Sequence, residues 1–238
     1  WQTRRAGEKE TAVRVPADEL RRVTAACVGA CGMRDDDAAY LADTLVDADL
    51  SGVHSHGVLR VPDYVAKLTS EGVDPRGVPT VAREFGACLV VDGGNSMGQL
   101  GVRFAMQHAK RLAAVHGIGA AAVRGSNHCG AVGYVARMAL DAGMIGIATT
   151  NALPTMAPWG GSERILGINP VAFAIPAGSE RPVEYDAAFS GSSHGKIRVH
   201  AQTGQPIPEG WALDSDGNPT SDPAAALNGL PAPIGMFK

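Results

Sequence analysis

The stretch Gly117-Ile118-Gly119-Ala120-Ala121-Ala122 satisfies a loose G-x-G-x-x-A dinucleotide fingerprint, and its surroundings decide the fold. Such a fingerprint works where a strand runs in and a helix N-terminus runs out, because the helix amides and dipole hold the pyrophosphate. Here the order is reversed. A helical pattern through Leu100, Phe104, Ala105, Ala109 and Leu112 enters, and the apolar run Ile118 to Val123 leaves as a predicted buried strand. The glycines therefore end the helix Met106 to Val115, and a Rossmann reading is rejected.

Outward from this point the chain alternates short strands and helices. Ala87 to Asp92 reads as a strand ending in the turn Gly93-Gly94-Asn95; after Val123 comes a loop at Arg124 to Cys129 and a helix from Gly130 to Ala142. Met144 to Thr149 and Val171 to Ile175 read as buried strands, and Val183-Glu184-Tyr185 as a β-like run. Toward the N-terminus, Pro16 to Gly32 predicts an amphipathic helix with Leu20, Val23, Cys27 and Val28 on one face, its start marked by Asp18 and Glu19. A second helix runs from Asp35 through Tyr40, Leu41, Leu45 and Val46 to a break at Leu50-Ser51-Gly52. Glu71 to Pro79 is turn-rich, and Gly204 to Trp211 and Asp214 to Pro219 read as surface turns. The expected architecture is α/β (α+β), a mixed sheet flanked by helices, with an N-terminal helical part at 1–78 and an α/β part at 79–238.

Composition narrows the function classes. Hydrophobic residues at 45% and charged residues at 19% suit a folded globular chain, and 238 residues suffice for a full core. Lys and Arg number 21 against 24 Asp and Glu, a net charge of −3, with the basic residues scattered, so no nucleic-acid partner is expected. The four cysteines, Cys27, Cys31, Cys88 and Cys129, fit neither a zinc knuckle nor a disulfide framework, which points to a reducing, cytoplasmic compartment. No apolar run is long enough for a bilayer, so no membrane partner is expected. The chain opens on Trp1 and stops at Ile234-Gly235-Met236-Phe237-Lys238 after a Pro/Gly-rich stretch, so truncation at the C-terminus is expected.

Ser55-His56-Gly57 with Arg60 carries the first chemistry. A histidine exchanges protons near neutral pH, a neighbouring hydroxyl can orient it, and an arginine four residues on lies on the same side of a helical segment. The guanidinium fork binds a carboxylate through two hydrogen bonds, so the pair suits a 2-hydroxy or 2-oxo acid. A capping histidine and a surface ion pair would explain the same residues. Ser126-Asn127-His128-Cys129-Gly130 lies between a strand and a helix start whose free amides could receive an anion, or Ser126 or Asn127 could simply cap that helix. Cys129 beside His128 admits a nucleophilic hydrolase as a further reading. The long irregular stretch Asn151 to Asn169 suits a functional loop. Asp186, at a strand end, could bind a ribose hydroxyl, orient a histidine or cap the next helix. No His, Asp and Glu set has metal-ligand spacing, and His194-Gly195-Lys196 is generic.

These segments together resemble the malate/L-lactate dehydrogenase-like family, which includes ureidoglycolate and sulfolactate dehydrogenases and piperideine-2-carboxylate reductases. The likeness is carried by Gly52 to Leu68, Val91 to Gly101, Ser126 to Gly130, Ala157-Pro158-Trp159-Gly160-Gly161, Gly167-Ile168-Asn169-Pro170 with Phe173-Ala174, and Pro206 to Ala212, and it extends from Val15 onward. It implies a non-Rossmann nicotinamide-binding fold, NAD or NADP as cofactor, a small-molecule substrate and a homodimer. Ser55 and His56 match the family's serine and proton-donor histidine, and Arg60 its carboxylate-binding arginine. His128 matches a histidine assigned to proton transfer or to the cofactor site. Cys129, Gly130, Ala152, Ile168, Asn169, Asp186, Ala187, Ala188 and Lys238 match cofactor-binding positions.

Four departures stand out. Ile168 replaces a common threonine, Phe189 stands where a small polar group is usual, and Met236-Phe237 interrupts a glycine-rich loop. Family chains also continue past Lys238. These departures frame an alternative expectation, a non-catalytic relative acting as a binding or assembly subunit.

Overall fold

The computed structural model describes residues 14–235. Three helices form the N-terminal layer: α1 (Ala17–Gly29), α2 (Asp35–Leu50) and α3 (Val61–Thr69). Leu41 and Leu45 of α2, Val28 of α1, and Tyr64 and Leu68 of α3 close one core with Met97 and Leu100. The buried stripe of α1 is Thr24 and Val28, whereas Val23 and Cys27 are exposed. Each of the latter precedes a buried residue by one position, about 100° around the helix, which turns it toward solvent.

The chain then forms β1 (Thr80–Phe85), β2 (Cys88–Asp92), α4 (Gly98–His116) and β3 (Ala120–Arg124). β2 and β3 pair in parallel with α4 as crossover, and β1 pairs antiparallel to β2, so this three-stranded sheet is mixed. The reversed order at the glycine fingerprint is observed: α4 enters, Gly117 caps it at φ +79°, and β3 leaves. β3 alternates rather than being buried on both faces, because it is an edge strand whose Ala121 and Val123 pack on the core of β2 and α4 while the other face is open.

Next come α5 (Val132–Arg137), shorter than the helix predicted to Ala142, and then β4 (Gly146–Thr149), β5 (Val171–Ile175) and β6 (Val183–Ala187). A 3₁₀ turn at Leu140–Ala142 completes the predicted helical stretch. β4, β5 and β6 form a separate antiparallel sheet in that order, with α5 packed on the face that presents Ala172 and Ala174. The C-terminal stretch holds more than turns. It carries α6 (His194–Thr203), β7 (Ala212–Leu213), β8 (Pro219–Thr220), α7 (Pro223–Asn228) and β9 (Leu230–Pro231), the three strands forming a small antiparallel sheet. The class is α+β as expected, with the strands divided among three sheets rather than one.

The helical layer is joined to α5 by polar side chains. Tyr134 Oη donates to Asp43 at 2.7 Å, Arg21 Nε donates to the same carboxylate at 2.8 Å, and the Tyr40 and Tyr134 rings meet edge to face at 5.9 Å. Arg137 bridges Asp47 of α2 and Glu184 of β6. These ties hold the helical layer against the sheet, and the loop between β3 and α5 lies beside that junction. Among the described residues no helix is long and apolar enough to cross a membrane.

Candidate functional site

The turn from α2 to α3 is built around Asp49. Its carboxylate accepts from the Val58 backbone N–H at 2.8 Å and pairs with His54 Nδ1 at 2.9 Å. Two 3₁₀ turns, His54–His56 and Val58–Arg60, flank an extended Gly57, so the segment is not one helix. His56 and Arg60 are therefore related by a folded turn rather than by an i, i+4 face. Arg60 Nε donates to the Ser55 carbonyl at 2.7 Å and one of its terminal nitrogens pairs with Asp63 at 3.3 Å, while the side chain stays 36% exposed. Part of the fork is thus spent internally, and the Asp63 that pairs with it is itself 62% exposed.

His56 Nδ1 lies 3.0 Å from Ser55 Oγ, leaving Nε2 for other partners. His128 comes from the loop between β3 and α5, and its ring stacks on that of His56 with centroids 5.5 Å apart and planes 23° from parallel. The stack joins two residues 72 positions apart that sequence reading had placed in separate motifs. Burial pushes the His56 pKa below its ordinary value, with Arg60 adding to the depression and Asp186 opposing it. Burial, then His56, Arg60 and Lys67, push His128 down to about 4. Both imidazoles are consequently held toward the neutral form beside a permanent cation.

The loop bearing His128 rests directly on the first turn of α4. A Cβ on Gly98 would overlap the Asn127 carbonyl oxygen and the His128 backbone, so a glycine is required by close approach. Asn127 Nδ2 donates to Asn95 Oδ1 and to the Ser96 carbonyl, each at 3.0 Å. Asn127 and Ser126 therefore do not cap α5. That helix starts at Val132, and its Gly133 N–H donates to Asp186 Oδ2 at 2.8 Å. Asp186 serves the helix before it in sequence rather than the one after it, and its carboxylate stands where the helix start was expected to receive an anion. An anion at those amides would meet this negative charge.

Two further side chains had no signal in the sequence. Tyr64 Oη lies 2.7 Å from His128 Nδ1, and Gln99 Nε2 donates to Tyr64 Oη at 3.0 Å. A Cβ on Gly195, at the start of α6, would lie 3.8 Å from Ser55 Cβ, so the generic His194-Gly195-Lys196 stretch borders the site.

Ala152, Ile168, Asn169, Ala187 and Ala188 gather at the end of the β4-β5-β6 sheet where Thr149, Val171 and Ala187 pair. Asn169 Oδ1 accepts from the Ala152 N–H at 2.9 Å, and Phe189 N–H donates to the Ile168 carbonyl at 2.7 Å. Ala187 pairs with Val171, and Ala188 follows it. Cys129 is buried against Ala172 and Ala174, and burial pushes its thiol above the ordinary value. A neutral buried thiol is a poor nucleophile, so the hydrolase reading fails. Gly130 N–H donates to His128 Nδ1 at 3.3 Å. Lys238 lies outside the described residues, as do Met236 and Phe237. Among the described residues no group of three or more His, Cys, Asp and Glu could hold a metal ion. A surface cavity of about 450 Å³ lined by Pro158, Trp159, Gly161, Ser162, Leu213 and Pro233 lies apart from the histidine pair.

A half-buried imidazole pair beside an arginine, on an α+β scaffold, has the chemistry to hold an acid and exchange a proton with it. Residues 15–238 match the malate/L-lactate dehydrogenase family. A malate dehydrogenase of Pyrococcus horikoshii is 42% identical over 229 residues, covering 96% of this chain and 63% of that protein. The solved sulfolactate dehydrogenase of Methanocaldococcus jannaschii has a TM-score of 0.87 at 38% identity, over 92% of this chain and 63% of that one. A ureidoglycolate dehydrogenase (NAD(+)) of Escherichia coli O157:H7 is 35% identical over 202 residues, 84% of this chain and 58% of that protein. The chain thus belongs to the malate/L-lactate dehydrogenase family, and it spans 63% of the length of the Pyrococcus relative.

Proposed function

We propose that the protein is an oxidoreductase that moves a hydride between a nicotinamide cofactor, NAD or NADP, and a small 2-hydroxy acid or its 2-oxo or 2-imino counterpart. The observation that carries this reading is the His56–His128 stack with Arg60 close enough to depress both imidazoles. Relatives named for malate, for sulfolactate with NADP(+) and for ureidoglycolate with NAD(+) support it, since each name is of a dehydrogenase.

Arg60 holds the substrate carboxylate with the part of its fork left free by Ser55 and Asp63. His56, oriented by Ser55 through Nδ1, exchanges the proton at the substrate heteroatom from Nε2. The cofactor supplies or accepts the hydride at its nicotinamide C4. Ala152, Ile168, Asn169, Asp186, Ala187 and Ala188 fit the nicotinamide and ribose end of such a molecule, because Asp186 keeps Oδ1 for a ribose hydroxyl while Oδ2 holds the Gly133 N–H, and the set has no cation for phosphate. In this reading residues up to 78 supply the substrate side, joined there by His128, and the rest of the remainder supplies the cofactor side. A homodimer in a cytoplasmic compartment, with all four cysteines free, belongs to the same proposal.

The non-catalytic alternative finds no support in the described residues, where histidines and arginine remain gathered. Titration of NADH and NADPH fluorescence, followed by turnover with a panel of 2-oxo acids, tests the proposal. His56→Ala should lower turnover by about two orders of magnitude or more while coenzyme still binds. No coenzyme binding, or an unchanged rate in that variant, would defeat it.

A further inference from the structure

His128 Nδ1 is approached from two sides. The Gly130 backbone N–H donates to it at 3.3 Å, and the Tyr64 hydroxyl lies 2.7 Å away. Gln99 Nε2 in turn lies 3.0 Å from the Tyr64 oxygen. One member of this chain cannot reverse its polarity: a backbone amide only donates, and its approach at 3.3 Å favours a lone pair on Nδ1. With the lone pair there, the Tyr64 hydroxyl donates to it through the shorter 2.7 Å contact and the amide shares it through the longer one, and the Tyr64 oxygen is free to accept from Gln99. The proton of the neutral imidazole is left on Nε2.

The supporting side chains are placed for this task rather than for packing alone. Tyr64 is 2% exposed and Gln99 1%, so water does not exchange for either partner. Gln99 Oε1 is buried with no hydrogen-bond partner among the described residues, a cost that an apolar side chain of similar size would avoid. Gln99 sits in the first turn of α4 next to Gly98, against which the His128 backbone rests, so ring and loop are fixed from the same helix end.

We propose that Gln99 and Tyr64 are positioning residues that lock His128 as a neutral Nε2–H donor to the substrate oxygen, leaving His56 as the group that carries the mobile proton. The donor role rests on the dehydrogenase reading, whereas the tautomer lock does not. In the reducing direction substrate C2 accepts the hydride supplied by a bound reduced nicotinamide; His56, in its imidazolium form, gives the Nε2 proton to the oxygen, returns to the neutral ring that burial favours, and is reprotonated from solvent. His128 keeps its proton throughout and only polarises the C=O bond. The groups that bear on its charge, His56, Arg60 and Lys67 against Asp63, together favour the neutral ring.

Long-range proton–nitrogen correlation spectra of histidine-labelled protein test the lock without substrate or coenzyme. Between about pH 5.5 and about pH 8, His128 should stay neutral with the proton on Nε2. Tyr64→Phe should mix the tautomers and lower kcat about tenfold or more, with coenzyme affinity unchanged. An Nδ1–H or charged His128 in the unmodified protein would overturn the lock, and so would a Tyr64→Phe spectrum and kcat that do not move. The first outcome needs no variant to fold. A protein with the expected tautomer that turns over no 2-oxo acid would instead overturn the dehydrogenase reading and the donor role with it.

Discussion

His56 and His128 stack with centroids 5.5 Å apart, and neither ring can gain a proton without meeting the other and Arg60. Two charged imidazolium rings at that distance would repel in a partly dry setting, so at most one of the pair is a proton carrier at a time. The Tyr64 hydroxyl and the Gly130 amide occupy Nδ1 of His128, whereas His56 has only the reversible Ser55 hydroxyl. That asymmetry is the basis for assigning the mobile proton to His56.

Arg60 is the side chain whose geometry, beyond its charge, should be felt in kinetics. Its Nε is held by the Ser55 carbonyl, which aims the planar end of the fork. A lysine keeps the charge but loses both the Ser55 tie and the paired donors. Arg60→Lys should raise KM for the acid about tenfold with a smaller change in kcat. Steady-state kinetics with the best 2-oxo acid measures this, and an unaltered KM would remove the carboxylate clamp.

Much of the scaffold is legible along the chain because it is dictated locally. Val171 to Ile175 is five apolar residues between Pro170 and Pro176, and β5 has those bounds. α2 begins at Asp35 and ends at Leu50 where the acidic start and Ser-Gly break indicate. β1 escapes notice because all six of its residues are exposed, so no alternation marks it. α6 escapes for a related reason: His194-Gly195-Lys196 and Arg198 give it a polar sequence with a single fully buried apolar residue, Ile197. The site is legible only in pieces. His56, Arg60 and His128 have motif context, but Gln99, Tyr64 and His128 meet across 35 and 64 positions, and Asp186 reaches Gly133 across 53. Periodicity contains no term for such contacts.

The depressed His128 pKa links stability to pH. Its folded value near 4 lies below the 6.5 of an unfolded chain, so as pH falls the unfolded state takes up the proton first. The contribution is therefore fully present above about 6.5 and is lost progressively as pH falls toward about 4, on the order of 3 kcal/mol before solvent screening reduces it. Urea unfolding at about pH 7.5 and about pH 4.5 should show a smaller loss in His128→Gln than in the unmodified protein. Equal losses would mean that His128 titrates alike in both states.

Thiol chemistry separates the buried cysteine from the others. Cys27 and Cys88 are exposed, while Cys129 is buried against Ala172 and Ala174 with its thiol held neutral. Brief treatment with iodoacetamide should label Cys27 and Cys88 and spare Cys129 until the protein unfolds. Peptide mapping by mass spectrometry checks the order. Early labelling of Cys129 would revive a reactive role for it.

Glycine-to-alanine changes offer a final test in which propensity and packing predict opposite signs. Within a helix such a change ordinarily stabilises by up to about 1 kcal/mol, since alanine loses less backbone entropy. Gly29 at the end of α1 has open space where a Cβ would stand, so Gly29→Ala should follow that rule. At Gly98 the added carbon meets the backbone of Asn127 and His128, which cannot swing aside as a flexible side-chain tip could. Gly98→Ala should therefore destabilise by about 1–3 kcal/mol and, by moving the His128 loop, lower kcat as well. Paired denaturation curves and initial rates for the two variants decide the matter, and a Gly98→Ala protein as stable and as active as Gly29→Ala would show that the loop does not depend on the first turn of α4.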